Sequence, residues 1–264
     1  MTVETSFAIV LAIRMIVTAL FVIGATVGAE RAGPLVGGLI ATLPLGAGPV
    51  YVFLAMDHDT QFIADSAVTT LAINVANVAF AVVYALLAQR RSLGLSVSVG
   101  LMVWLAIALA INAISWSWAG AALFNLVALP VALWLVRPLR LTAVPRTPSR
   151  WYEMLLRAVL AALLVGVTVT LSFRIGPASS GILAVLPIIL LSIMVIMHPR
   201  VGGRPTAAVL SNGVLGLVGF AFAATALHFA VRPFGSAVAL SLALSISVGW
   251  GLLVFAARRR GVAV

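Results

Sequence analysis

The residues of this chain best placed to do chemistry are two prolines and two arginines, each pair recurring across the sequence. Pro44 lies in the run Thr42-Leu43-Pro44-Leu45-Gly46-Ala47-Gly48-Pro49, and Pro187 closes Val185-Leu186-Pro187. Both sit near the middle of an apolar stretch. Proline removes a backbone hydrogen bond and clashes with the carbonyl four residues back, so each should kink or break its helix. A break at mid-membrane is tolerated where it is buried in protein or lines a watery cavity. Interrupted spans at matching positions in two halves point to a transporter's binding site. Thr42, Pro44 and Pro187 are therefore candidate binding positions, with a packing kink as the ordinary alternative. Arg14 and Arg157 fall about seven residues into their runs, roughly 10 Å deep at a rise of 1.5 Å per residue. An arginine at the hydrocarbon centre costs at least about 2.5 kcal/mol, which snorkelling to the headgroups relieves. Facing a cavity instead, the two guanidiniums would attract an anion.

The six acids are sparse. Asp65 stands at the mouth of an apolar run, one turn above Thr69, where it can carry a proton or pair with an arginine; a carboxylate at a helix N-terminus is the ordinary reading. Asp57-His58-Asp59 is a weak metal motif with a solvated loop as its alternative. Asn74 and Asn77 share a helix face, and such amides either join helices or hold a ligand. There is no phosphate loop, no clustered histidines and carboxylates, and no nucleophile elbow. An enzyme, a cofactor and a bound metal are therefore not expected.

What must position these residues is an internal duplication. Shifted by 143 residues, Arg14 to Pro44 falls on Arg157 to Pro187, and roughly eleven of 31 positions coincide where composition would give about four. The matches include Arg14/Arg157, Arg31/Arg174, Gly33-Pro34/Gly176-Pro177, Gly38/Gly181 and Pro44/Pro187. After a two-residue slip, Ala67-Val68 falls on Ala208-Val209, Arg91 on Arg232 and Gly94 on Gly235.

Composition places the duplication in a membrane. Apolar residues make up 63% of the chain and charged ones 8%, and the mean hydropathy is +1.23, far from the balance of a soluble domain. The net charge of +10 comes from sixteen arginines lying between apolar runs, a pattern that suits an anionic leaflet better than nucleic acid. Without cysteine, neither a disulfide nor a thiolate site can form. The opening MTVETS has no basic stretch, so the first apolar run is expected to be a retained span.

Runs near the 20 residues of a spanning helix number about nine: 7–28, 34–56, 62–88, 94–114, 117–136, 152–173, 177–197, 206–231 and 235–257. The expected fold is an all-α polytopic membrane protein. Its first four-helix repeat occupies 1–114, a linker helix and a basic, proline-containing loop 115–150, and the second repeat 151–264. With the N-terminus outside, the inner segments hold Arg31, Arg90, Arg91, Arg137, Arg140, Arg146, Arg150, Arg200, Arg204 and Arg258 to Arg260. The outer ones hold only Arg174 and Arg232. That bias follows the positive-inside rule and puts the C-terminus in the cytoplasm. Trp116 and Trp118 then mark the outer interface, Trp134 and Trp151 the inner one. Five spans precede the second copy, an odd number, so the repeats are inverted.

The segment Gly181-Ile-Leu-Ala-Val-Leu-Pro187, with Met197-His198 and a Gly/Arg loop after it, resembles the GlpM-type small four-helix bacterial membrane proteins. The resemblance covers about 40 residues of the second copy; in the first, Ala55 stands where the second has His198. It implies one such unit per repeat and a link to exopolysaccharide production. The whole plan is similar to inverted-repeat secondary transporters, and to drug/metabolite transporters without their motif residues.

The expected function is secondary transport of a small solute across the bacterial inner membrane, through a cavity between spans 1, 2, 6 and 7. The solute is anionic if Arg14 and Arg157 face that cavity. The alternative is an accessory protein that supports exopolysaccharide or envelope biosynthesis. A lipid flippase would instead need a groove open sideways. Expected partners are membrane lipid, the solute, and a second copy or an envelope protein, with no nucleic acid.

Overall fold

The computed structural model describes residues 3–31, 46–142, 145 and 150–260. Every regular element among them is helical: α1 (Val3–Arg31), α2 (Ala47–Asp57), α3 (Thr60–Leu87), α4 (Leu93–Asn112), α5 (Trp118–Val136), a 3-10 turn (Arg137–Leu139), α6 (Trp151–Ala184), α7 (Ile188–Val201) and α8 (Gly203–Arg259). Side-chain oxygens fix three starts. Asp59 accepts from Phe62 N at 2.8 Å, Ser92 from Leu95 N at 3.4 Å and Ser117 from Gly120 N at 3.1 Å, each meeting a donor the helix itself leaves unpaired.

Two glycines bend the long helices. Gly176 has φ 73° inside α6 and Gly235 has φ 78° inside α8, a region glycine enters without a Cβ penalty. Pro177 follows the first, preset for the opening turn of the next helical segment. The expected joint between 173 and 177 is this bend, and the expected joint between 231 and 235 is the bend at Gly235. In both places the chain stays helical on either side without a loop.

Among the described residues, six stretches are long and apolar enough to cross a bilayer: Phe7–Gly28, Thr60–Leu87, Leu93–Asn112, Trp118–Leu139, Trp151–Val201 and Gly203–Ala257. The last two run 51 and 55 residues, about twice the 20 or so that one crossing needs. Of the expected span 34–56, the described residues carry α2; Thr42 and Pro44 lie outside them.

Packing is organised around α3. It lies against α4, α5, α6 and α8, and Ile63, Ala67, Ile73, Phe80 and Tyr84 are completely buried. The helices that carry the two matching sequence segments pack on each other, α1 against α6, with Val22, Ala158 and Ala161 forming a small core of their own. The two arms of α8 are tied by Trp250, whose Nε1 donates to Leu215 O at 2.7 Å. Its indole lies over Gly219, where a Cβ would come within 2.4 Å of the ring.

Candidate functional site

Ser66, Thr70, Asn74 and Asn77 follow one another down a single face of α3, and all four are buried. Ser66 Oγ donates to Pro177 O at 3.0 Å, Thr70 Oγ1 to Gly181 O at 2.8 Å and Asn77 Nδ2 to Val185 O at 3.0 Å. Gly181 O and Val185 O lie at the end of α6 before the break ahead of α7, where a helix leaves carbonyls without internal partners; Pro177 O lies just after the Gly176 bend. Gly181 lets the two backbones approach, since a Cβ there would stand 2.4 Å from Ser66 O. Asn77 Oδ1 accepts from Trp104 Nε1 at 2.8 Å. Asn74 Nδ2 donates to Asn125 Oδ1 at 2.8 Å and Leu217 O at 3.1 Å. The two asparagines thus join α3 to its neighbours. The break expected at Val185 to Pro187 is present, because α6 ends at Ala184 and Pro187 precedes α7. Pro187 is buried and lines neither cavity described below.

Arg14 holds Asp57 through both terminal nitrogens, Nη2 to Oδ1 at 2.7 Å and Nη1 to Oδ2. The side chains are 11% and 14% exposed. Within these residues Arg14 is thus a bidentate ion pair tying α1 to the last residue of α2, rather than an open cation. A second pair, Arg200 Nη1 to Glu153 Oε1, ties α7 to the start of α6. Arg200 lies 143 residues after Asp57, the offset at which the two sequence segments match, so that register position holds an acid in the first segment's continuation and a base in the second's. Arg157 is half-buried, one turn along from Glu153.

Two cavities open near these groups. The larger, about 400 Å³, lies among α1, α2, α3 and both arms of α8, and is open on one side. Phe21, Phe53, Phe220, Ala224 and Leu244 are among its walls, and Thr18 marks it near Arg14. Val17, Phe21, Val52 and Leu244 on its rim are exposed. Its polar groups are few; one is the Tyr51 hydroxyl, which donates to Thr70 Oγ1 at 2.7 Å because Thr70 gives its own proton to Gly181. The walls differ from the expected ones: spans 1 and 2 contribute, but α8 takes the place of α6 and α7. The smaller cavity, about 340 Å³, is bounded by Asp65, Thr69, Asn112, Ser115, Trp116 and Pro177. Asp65 accepts from Gln61 Nε2 at 2.8 Å and pairs with Arg232 at 3.3 Å across to α8.

Asp57, His58 and Asp59 diverge: Asp57 turns to Arg14, Asp59 caps α3, and His58 Nε2 meets Ser172 Oγ at 2.7 Å. Ser172 donates its proton to Val169 O at 2.8 Å, so His58 is the donor in that contact. Burial pulls its pKa below the usual histidine value, against the pull of Asp57 and Asp59. The sequence reading missed Glu153, Arg200 and the Arg14–Asp57 pairing. The repeat register could have matched Asp57 with Arg200, whereas nothing in the pattern singles out Ser66, Tyr51 or the cavity wall on α8. No protein-family model, curated protein or solved structure matches this chain.

Proposed function

We propose that this chain is a secondary transporter of the inner membrane that moves a small amphiphilic molecule through the larger cavity. It crosses the membrane nine times, in two inverted four-helix repeats joined by α5, with the N-terminus outside and the C-terminus in the cytoplasm. In that arrangement α6 with α7, and α8 alone, each account for two crossings. The cavity carries the reading. About 400 Å³ of space is within the 300–1,000 Å³ typical of small-molecule sites, and its nearly apolar walls and exposed rim suit a ligand that enters from lipid. A small hydrophilic anion would find few partners there. The duplication in that plan is supported by the two ion pairs, each joining the first helix of its half to the end of the next, with Asp57 and Arg200 143 residues apart.

One observation favours the accessory role instead: the Pro187 break is packed solid against α3. The test is reconstitution into vesicles with single-chain fluorescent lipids, using dithionite protection to follow movement between leaflets. Faster movement than in protein-free vesicles, abolished by Ala224→Trp in a folded protein, is expected. A rate equal to that of empty vesicles would overturn the transport reading and leave the accessory one.

A further inference from the structure

Taking the larger cavity as the ligand site of that transporter, we infer that its ligand is an uncharged amphiphile, an apolar chain bearing a hydroxyl, and that Ser247 recognises the hydroxyl. The walls limit the choice first. Among the described residues that line the cavity, no side chain is charged, and the polar ones are Thr18, Tyr51, Thr70, Ser241 and Ser247. A carboxylate or phosphate drawn into such a space loses its water without gaining a counter-charge. The Arg14–Asp57 pair does not alter this, because neither residue lines the cavity and each satisfies the other.

Four of these five hydroxyls have already given their protons to the protein. Thr18 Oγ1 donates to Arg14 O at 2.8 Å, Tyr51 to Thr70, Thr70 to Gly181 O, and Ser241 Oγ to Ala237 O at 2.8 Å. Ser247 differs. It is only 5% exposed and lines the cavity from the second arm of α8, yet among the described residues no group hydrogen-bonds its hydroxyl. Its neighbours Ser241 and Ser245 turn back onto the carbonyl four residues earlier, both at 2.8 Å, the usual resort of a helical serine. A buried hydroxyl left without a partner is uncommon in a folded protein, and this one lies on a cavity wall. It offers a proton and two lone pairs, so a ligand hydroxyl satisfies it in either sense. An alkane leaves it unpaired. The lone pairs remaining on the other four oxygens further favour a ligand that brings a proton over a carbonyl compound that brings none.

Equilibrium binding of three radiolabelled probes of one chain length, dodecan-1-ol, dodecanoate and dodecane, to the full chain in detergent tests this. The assay is run at about pH 9, where the acid is ionised, with each probe's concentration referred to the micelle phase. The wild type should bind the alcohol about fivefold more tightly than the alkane, the usual net effect of one hydrogen bond, and the carboxylate more weakly than the alcohol by at least about tenfold. Ser247→Ala, which costs the fold no hydrogen bond, should remove the alcohol's advantage and leave alkane binding unchanged. Ala224→Trp, which fills the cavity, should weaken alcohol and alkane alike. Dodecanoate binding the wild type as tightly as dodecan-1-ol overturns the uncharged-ligand inference while leaving the cavity reading intact, and needs no variant to fold. An alcohol advantage that persists in Ser247→Ala overturns the role of Ser247. Binding of no probe, or binding unchanged by Ala224→Trp with the fold verified by circular dichroism, overturns the cavity reading and the inference together.

Discussion

Gly181→Ala should loosen the junction between α3 and the segment after the Gly176 bend. The added Cβ would stand 2.4 Å from Ser66 O, against the 3.4 Å at which ordinary contact begins, so the two backbones must part by about 1 Å, an overpacking strain that costs about 1–3 kcal/mol. The three hydrogen bonds across this junction, now 2.8 to 3.0 Å, would stretch past useful length. Interhelical bonds in membranes average about 0.6 kcal/mol each, so together they contribute about 2 kcal/mol. Alanine returns up to about 1 kcal/mol of helix propensity, leaving a net loss of about 2–4 kcal/mol. Gly213→Ala is the control: no atom lies within 4 Å of its Cβ position, so it should be neutral or stabilising by up to about 1 kcal/mol. Equilibrium unfolding in mixed micelles, followed by tryptophan fluorescence, measures both. If Gly181→Ala is as stable as Gly213→Ala, the close approach and its hydrogen bonds do not hold the bundle together.

Two further outcomes follow from the same geometry. Asp59→Cys and Arg91→Cys, made singly in this cysteine-free chain, should react with an impermeant thiol reagent from opposite sides of the membrane; labelling from one side would refute the crossing by α3 that the nine-span arrangement requires. Because His58 titrates below the ordinary value of 6.5, its neutral form is favoured by folding. Its contribution is complete above about pH 6.5, declines as the pH falls towards the folded pKa, and is flat below that. Melting temperatures of wild type and His58→Gln should therefore diverge above that window and converge below it, whereas a constant gap would argue against the His58–Ser172 contact as the titrating element.

Much of the helical order was legible because backbone chemistry announces it. Gly176-Pro177 combines the residue that tolerates positive φ with the one that suits a helix start, and the chain bends there. Pro187 marks a break for the same kind of reason. Depth within the bundle was not legible. α1 and α3 are both strongly apolar, yet the most apolar window of α1 is 11% buried inside the protein and that of α3 is 78% buried. Lipid is as apolar as a protein core, so no hydrophobic contrast separates the two. The distinguishing mark is the polar series Ser66, Thr70, Asn74 and Asn77, of which only the asparagines drew attention. Arg14 was found by its repetition. Its partner was not, because an ion pair between residues 43 apart depends on how α2 returns to α1, and spacing alone does not encode that.

The buried polar face of α3 bears on how the protein is made. Ser66, Thr70, Asn74 and Asn77 find carbonyl acceptors that lie 108 to 143 residues further along the chain. At roughly 5–20 residues per second, the ribosome delivers those acceptors about 5 to 30 seconds after α3 itself. Until then the helix destined for the centre of the bundle has hydroxyls and amides with no final acceptors, in a medium that solvates them poorly. Among the described partners, Trp104, 27 residues downstream of Asn77, and Asn125, 51 downstream of Asn74, arrive earlier. The nascent chain must therefore shelter α3 beside the insertion machinery, or against α4 and α5, until α6 emerges. The later part of the chain, from α6 onward, thus supplies the acceptors on which α3 finally closes.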